Sequence, residues 1–197
     1  MGARGRRAEA GLSAARRQRA FSLLELVIVI VLISVLLGVG IDRLLLMKAQ
    51  AESRAMEHVL GSMRSGLMIR MAEMLARGRV AEIAELAGSN PMRLLAEPTQ
   101  NYLGELFGPD PGVLPTGSWY FDTRERALCY LVDSAEYFRT PLASPARARF
   151  RIEPVFDGAA IIKGLRLAAL EPYGWNLTTW RDPDWAVPPQ APAGGPG

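Results

Sequence analysis

The sequence predicts an α+β fold: one long N-terminal helix, membrane-length at its start and amphipathic beyond, packed on an antiparallel sheet of about four strands. Three observations predict it. Residues 21–41 form an apolar run holding a single charge. Residues 42–77 contain no proline and repeat apolar side chains at spacings of three and four. From Ser118 onward, short aromatic and β-branched runs alternate with polar turns.

The first element is set by length and charge. As a helix, Phe21 to Ile41 spans ~31 Å at about 1.5 Å per residue, the thickness of a hydrocarbon core of about 30 Å. Its only ionisable group is Glu25, near the start. A carboxylate in such a segment costs free energy and marks a functional position by default. Ahead of the run, residues 1–20 hold six Arg and one Glu, a net +5. The positive-inside rule keeps such a block in the cytoplasm and sends the remainder across the membrane. A secretory signal carries its small-residue cleavage site after the apolar core. Here the small residue, Ala20, precedes the core, so a cut at that point leaves the hydrophobic helix on the mature chain.

A small residue, then Phe21-Ser-Leu-Leu-Glu25-Leu and a long Val/Ile/Leu run resembles the processing site of type IV pilins and type II secretion pseudopilins. Ala20, Phe21 and Glu25 match the residue before the cut, the first mature residue and the fifth. Ala20 stands where Gly is usual, and Asp42 stands where many members carry Pro; Gly38 and Gly40 offer an alternative helix weak point. The resemblance covers about 30 residues of this chain. It implies cleavage between Ala20 and Phe21 by a membrane-embedded prepilin peptidase, N-methylation of Phe21, and a pilin-like fold. It further implies a single-pass inner-membrane protein with its head in the periplasm, drawn into a filament of other pilins or pseudopilins by an inner-membrane assembly platform. Within that filament Glu25 meets the Phe21 ammonium of a neighbour, which offsets desolvation and fixes axial register. The expected organisation is a leader at 1–20, a long helix at 21–77 with its membrane part at 21–41, a head at 78–187 and a Pro/Gly-rich tail at 188–197.

Beyond the membrane run, residues 56, 60, 63, 67, 71 and 74 form one apolar stripe, opposed by a polar face of Glu52, Arg54, Glu57, His58, Arg64 and Arg70. Met56, Met63, Met68, Met71 and Met74 read as adaptable packing rather than a cofactor box. His58, the only histidine, reads as an exposed polar-face residue. Arg77-Gly78-Arg79 suits a helix end, and a short helix follows from Val80 to Ala87. Residues 91–116 read as a Pro- and Gly-interrupted connector with Leu94, Leu95, Tyr102, Leu103, Leu106 and Phe107 as burial anchors. Residues 119–122 and 127–132 flank the polar turn 123–126 as a hairpin. A third strand falls within 148–156, with Pro154 at an edge or bulge, and a fourth near 161–170 after Asp157-Gly158.

Composition excludes several functions. The pI near 9.3 is owed to the leader: without residues 1–20 the chain has 17 basic and 19 acidic residues. Global charge therefore does not favour a nucleic-acid partner. Arg147, Arg149 and Arg151 alternate with apolar residues, so a strand places them on one solvated face. A filament-tip module binding DNA, a surface or a secreted substrate remains the alternative function, as does a signal-anchored periplasmic protein that never assembles. The single cysteine, Cys129, forms no internal disulfide and reads as a buried strand residue. Major fibre-forming pilins often close a C-terminal loop with a cysteine pair, so its lack leans toward a minor pilin or pseudopilin. Major pseudopilins hold calcium near the C-terminus; Glu171, Asp182 and Asp184 supply oxygens but no recognisable ligand spacing, and a surface turn at Pro183 explains the aspartates. One His, one Cys and no nucleophile or phosphate-loop motif point to a non-enzyme without cofactor or metal.

Overall fold

The computed structural model describes residues 23–157 and 161–177. The leader 1–20, Phe21 and the tail 188–197 lie outside the described residues. Residues up to Ile41 and residues from Asp42 form two separate compact units, each taken by itself below.

A single helix, α1, runs Leu23–Ala76. It is continuous across Gly38 and Gly40, so these glycines do not break it. Its end is set by Gly78, whose φ of 71° permits the left-handed turn there. The Gly78 N–H donates to the Leu75 carbonyl at 3.0 Å and the Arg79 N–H to the Met74 carbonyl at 2.8 Å, satisfying carbonyls the helix leaves open. The following helix α2 is only Val80–Ile83, and residues 84–86 tighten into a 3₁₀ turn. A second 3₁₀ turn, Pro91–Leu94, starts at Asn90, whose side chain accepts from the Met92 N–H at 2.9 Å.

The described residues hold seven strands: β1 Tyr102–Leu106, β2 Trp119–Asp122, β3 Ala127–Leu131, β4 Phe138–Arg139, β5 Arg147–Asp157, β6 Ile161–Ala169 and β7 Gly174–Trp175. Five form the main sheet in the order β1-β2-β3-β5-β6; β4 and β7 pair as a separate antiparallel ribbon. The sheet is antiparallel except for β1, which joins β2 in parallel. The expected four strands are thus present with a fifth beside them. The connector expected at 91–116 contains β1, whose register slips between Tyr102 and Glu105, around Gly104 at a φ of 98°. Tyr102 packs on the core as expected, but Leu103 is half-exposed and Phe107 almost wholly so; neither is an anchor. Pro154 falls where sequence placed it: β5 pairs β3 only over 147–150, so Pro154 lies on a stretch unpaired on that side, one residue before the Val155/Phe156 irregularity.

The period-2 rule sorts the sheet. Trp119, Phe121, Leu128, Tyr130, Phe150 and Ile152 face α1, where Met56, Leu60, Met63 and Leu67 complete one core. Trp119 sits 4.7 Å from the Tyr130 ring and 6.1 Å from Phe150. The expected stripe on α1 is buried except Met71, which packs at its edge; Met68 points outward, and His58 is exposed. On the opposite face Tyr120, Ala127, Cys129 and Leu131 form a smaller cluster with Leu106, Leu114 and Leu170. One glycine, Gly66, lets backbone approach backbone. A Cβ on Gly66 would stand 2.6 Å from the Leu94 carbonyl oxygen, so glycine there admits the 91–94 turn against α1.

Candidate functional site

The first half of α1 carries the candidate site. Over residues 23–41 Glu25 is the only charge, and it falls in the first turn, where the helix dipole favours an anion. The large apolar side chains of this stretch are exposed on every side of the helix; Leu24 retains 69% of its accessible area and Leu36 71%. The one hydroxyl there, Ser34, donates back to the Ile30 carbonyl at 2.8 Å, so it brings no unmet polar group into an apolar setting. This is the one helix among the described residues long and apolar enough to cross a membrane. Ala20 and Phe21, the expected cleavage and methylation positions, lie outside the described residues.

The second half of α1 holds the sheet through a polar clamp that sequence reading missed. Glu52, assigned to the polar face, instead turns into the head: its carboxylate accepts from the Tyr130 hydroxyl at 3.0 Å, the Asp133 N–H at 2.7 Å and the Ser134 N–H at 2.8 Å. One turn earlier Lys48 pairs with Asp133 at 2.8 Å, and the Thr116 hydroxyl donates to the same carboxylate at 2.6 Å. The Lys48 and Thr116 hydrogen bonds hold the Asp133 carboxyl below the usual carboxylate range. Burial, with Glu52 close by, pushes the Tyr130 hydroxyl up, so it stays a donor. The signal was available: the stripe at 56, 60, 63 and 67 extends backward to buried Leu46, Ala49 and Ser53, which brings Glu52 to its margin.

The arginine row on β5 does share one face, as alternation requires, but it is not simply solvated. Arg149 is engaged by both Glu171 and Glu125. Arg151 donates to the Glu125 and Arg126 carbonyls at 2.7 and 3.2 Å, and Arg147 to the Ala143 and Pro145 carbonyls at 2.7 and 3.1 Å. These guanidiniums stitch the sheet to its loops, which leaves fewer donors for phosphates. Glu171 is committed to Arg149 and so is not a free calcium ligand; Asp182 and Asp184 lie outside the described residues. Among the described residues no cluster of His, Cys, Asp or Glu could hold a metal ion. Cys129 is buried, and desolvation pushes its thiol up to about 11.

Comparison with known families gives one match: residues 15–41 fit the prokaryotic N-terminal methylation motif. This is the signature of type IV pilins and pseudopilins, and the chain carries it over the segment that holds Ala20, Phe21 and Glu25. No curated protein and no solved structure matches the chain. The motif and the apolar helix suit a membrane-anchored, single-pass protein, and the motif points to a processed structural subunit rather than an enzyme.

Proposed function

We propose that the protein is a minor pilin or pseudopilin: a structural subunit of a type IV pilus or type II secretion filament. The observation that carries this reading is the methylation motif over 15–41 on a helix whose apolar surface is uncovered all round. The prepilin peptidase cuts between Ala20 and Phe21 and methylates the new amine. The basic leader holds the N-terminus in the cytoplasm until then, and the head lies in the periplasm. In the filament Glu25 meets the Phe21 ammonium of an adjacent subunit, residues 26–41 bury against neighbouring helices, and the head sets the partners. The lone Cys129 leans toward the pseudopilin or minor class.

Mass spectrometry of the mature N-terminus tests the processing step. The expected product begins with N-methylated Phe21; an uncut chain, or one cut after Ile41, refutes it and leaves a signal-anchored periplasmic protein. Replacing Glu25 with Leu tests register: the variant is processed but enters sedimentable filaments poorly. Wild-type incorporation would remove the role given to Glu25.

A further inference from the structure

We propose that one face of the head, built from residues 42–47 of α1 and the loop 133–137, rests in the headgroup layer of the bilayer and takes zwitterionic lipid as its partner. The proposal rests on the reading of residues 21–41 as the membrane-crossing part of the chain. Asp42 is bonded to Ile41, so it lies at the edge of the hydrocarbon whatever angle the head takes. Headgroups add about 5–7 Å on each side of a hydrocarbon core of about 30 Å. At about 1.5 Å per residue, a helix crosses that layer in about four to five residues, here Asp42 to Leu46. Tilt lowers the rise per residue and keeps more of them inside it.

The head reaches the same level. Its loop from Asp133 to Tyr137 descends α1 about a turn at a time. The Asp133 and Ser134 N–H groups donate to Glu52 at 2.7 and 2.8 Å, and the Asp133 carboxylate pairs with Lys48 at 2.8 Å. Ala135 and Glu136 share a hollow of about 330 Å³ with Leu45 and Lys48. Burial holds the Tyr137 hydroxyl above its usual range, and the Glu136 and Asp42 carboxylates add to the rise, so that hydroxyl is within reach of the Asp42 charge. Tyr137 therefore stands beside the residue at which the layer begins.

The side chains at this level select lipid. Leu44 and Met47 are 67% and 63% exposed, so apolar surface continues past the last residue of the membrane run. Arg43 is exposed, and its guanidinium forms no ion pair or hydrogen bond among the described residues. A cation at the edge of the hydrocarbon meets lipid phosphate, and a tyrosine settles at headgroup level with its ring in the apolar part and its hydroxyl toward water. Among the described residues neither the Tyr137 hydroxyl nor the Glu136 carboxylate has a hydrogen-bond partner. Arg43 close in sequence to Asp42, with Glu136 on the loop, gives the face both signs of charge. That matches a headgroup carrying a phosphate and an ammonium, and each pairing is charge-assisted.

The experiment places one fluorophore at a time on the full chain, through Ile30→Cys, Ala135→Cys or Ala76→Cys. Cys129 is buried and stays unlabelled, and the unsubstituted chain supplies the blank. Each chain is reconstituted in vesicles of phosphatidylethanolamine and phosphatidylcholine bearing a nitroxide either on the headgroup or midway down the acyl chain. Ala135 and Ala76 are both exposed, and Ala76 lies ~51 Å beyond Asp42 along α1 at about 1.5 Å per residue. We expect headgroup nitroxides, which quench over roughly the depth of one headgroup layer, to remove about half the emission at Ala135 and none at Ala76. Adding Arg43→Glu and Tyr137→Ser should cut the Ala135 quenching about twofold, with near-UV circular dichroism showing the head still folded. Quenching at Ala135 no greater than at Ala76, or equal in the substituted chain, overturns the proposal. The Ile30 label separates this from the membrane reading. If mid-chain nitroxides quench Ile30 while headgroup nitroxides spare Ala135, only the head contact is lost; if neither label is quenched, both readings fall.

Discussion

Replacing Glu52 with Ala should loosen the head from its helix. The carboxylate accepts three hydrogen bonds, from the Tyr130 hydroxyl and the N–H groups of Asp133 and Ser134. Hydrogen bonds to a charged group contribute about 1.5–3 kcal/mol each, but a donor that water can reach recovers most of that. Asp133 is exposed and recovers it; Ser134 and Tyr130 are buried. One full loss at Tyr130 and a partial one at Ser134 give about 2–4 kcal/mol. At about 2–4 °C per kcal/mol for a chain of this size, Tm falls by roughly 4–16 °C. Near-UV circular dichroism of the full chain in micelles follows the head, because Trp119 packs between Tyr130 and Phe150 in its core. Glu52→Gln adds a sharper control. Its amide oxygen can still serve Tyr130 and Asp133, but its amino group then faces the Ser134 N–H, donor against donor, so an intermediate loss is expected. A loss below about 0.5 kcal/mol for Glu52→Ala, the size of an ordinary surface change, would refute the clamp.

Other outcomes follow from the same geometry. Gly66→Ala should destabilise by about 1–2 kcal/mol, because its methyl stands 2.6 Å from the Leu94 oxygen, whereas Gly61→Ala meets nothing within 4 Å and should stabilise by up to about 1 kcal/mol; paired thermal melts read both signs. Cys129, with its thiol pushed up to about 11 by burial, should resist a thiol reagent at pH 8 until the head unfolds, and rapid reaction of the native chain would contradict its burial. Asp133 has a folded pKa below its ordinary 3.8, so its contribution is present above that pH and lost as the pH falls through the folded value. Lys48→Met removes the main cause of the shift; wild-type and variant melts should differ near neutral pH and converge in acid, and a constant difference would refute the linkage.

Legibility tracked how local the determinant was. The apolar run with Glu25 and the stripe from Met56 to Met74 are written in one stretch of chain, and spacing revealed them. The 119–131 hairpin is equally local: alternation and a four-residue polar turn set its register, with Asp122 opposite Ala127. Strand β1 was hidden because its pairing is parallel and distant, and Gly104 and Glu105 interrupt any alternating pattern. The two-residue strands β4 and β7 carry no period at all. Glu52 looked like a surface acid because its partners stand 78 to 82 residues away. Arg147, Arg149 and Arg151 were placed on the right face, but the carbonyls and carboxylates that hold them come from loops whose path alternation does not encode.

The two halves of α1 pose different physical problems, and the difference bears on function. From Asp42 onward the helix is amphipathic, and the sheet covers its apolar stripe with side chains from five strands' worth of sequence. From Leu23 to Ile41 there is no polar face, and none of the most apolar stretch is covered by the other described residues. A helix apolar all round is stable only inside a larger core or in lipid. On the proposed reading its covering comes from bilayer before assembly and from other subunits' helices after it. On that reading Glu25 is the exception that gives the exchange a direction. In lipid its charge is a cost, relieved near the headgroups; between packed helices the cost falls only where a neighbour supplies a cation, and on the same reading that cation is the amine freed by cleavage at Phe21, four residues earlier in the sequence. An uncharged side chain at position 25 would leave the helix equally content in the membrane and remove the reason to leave it in register.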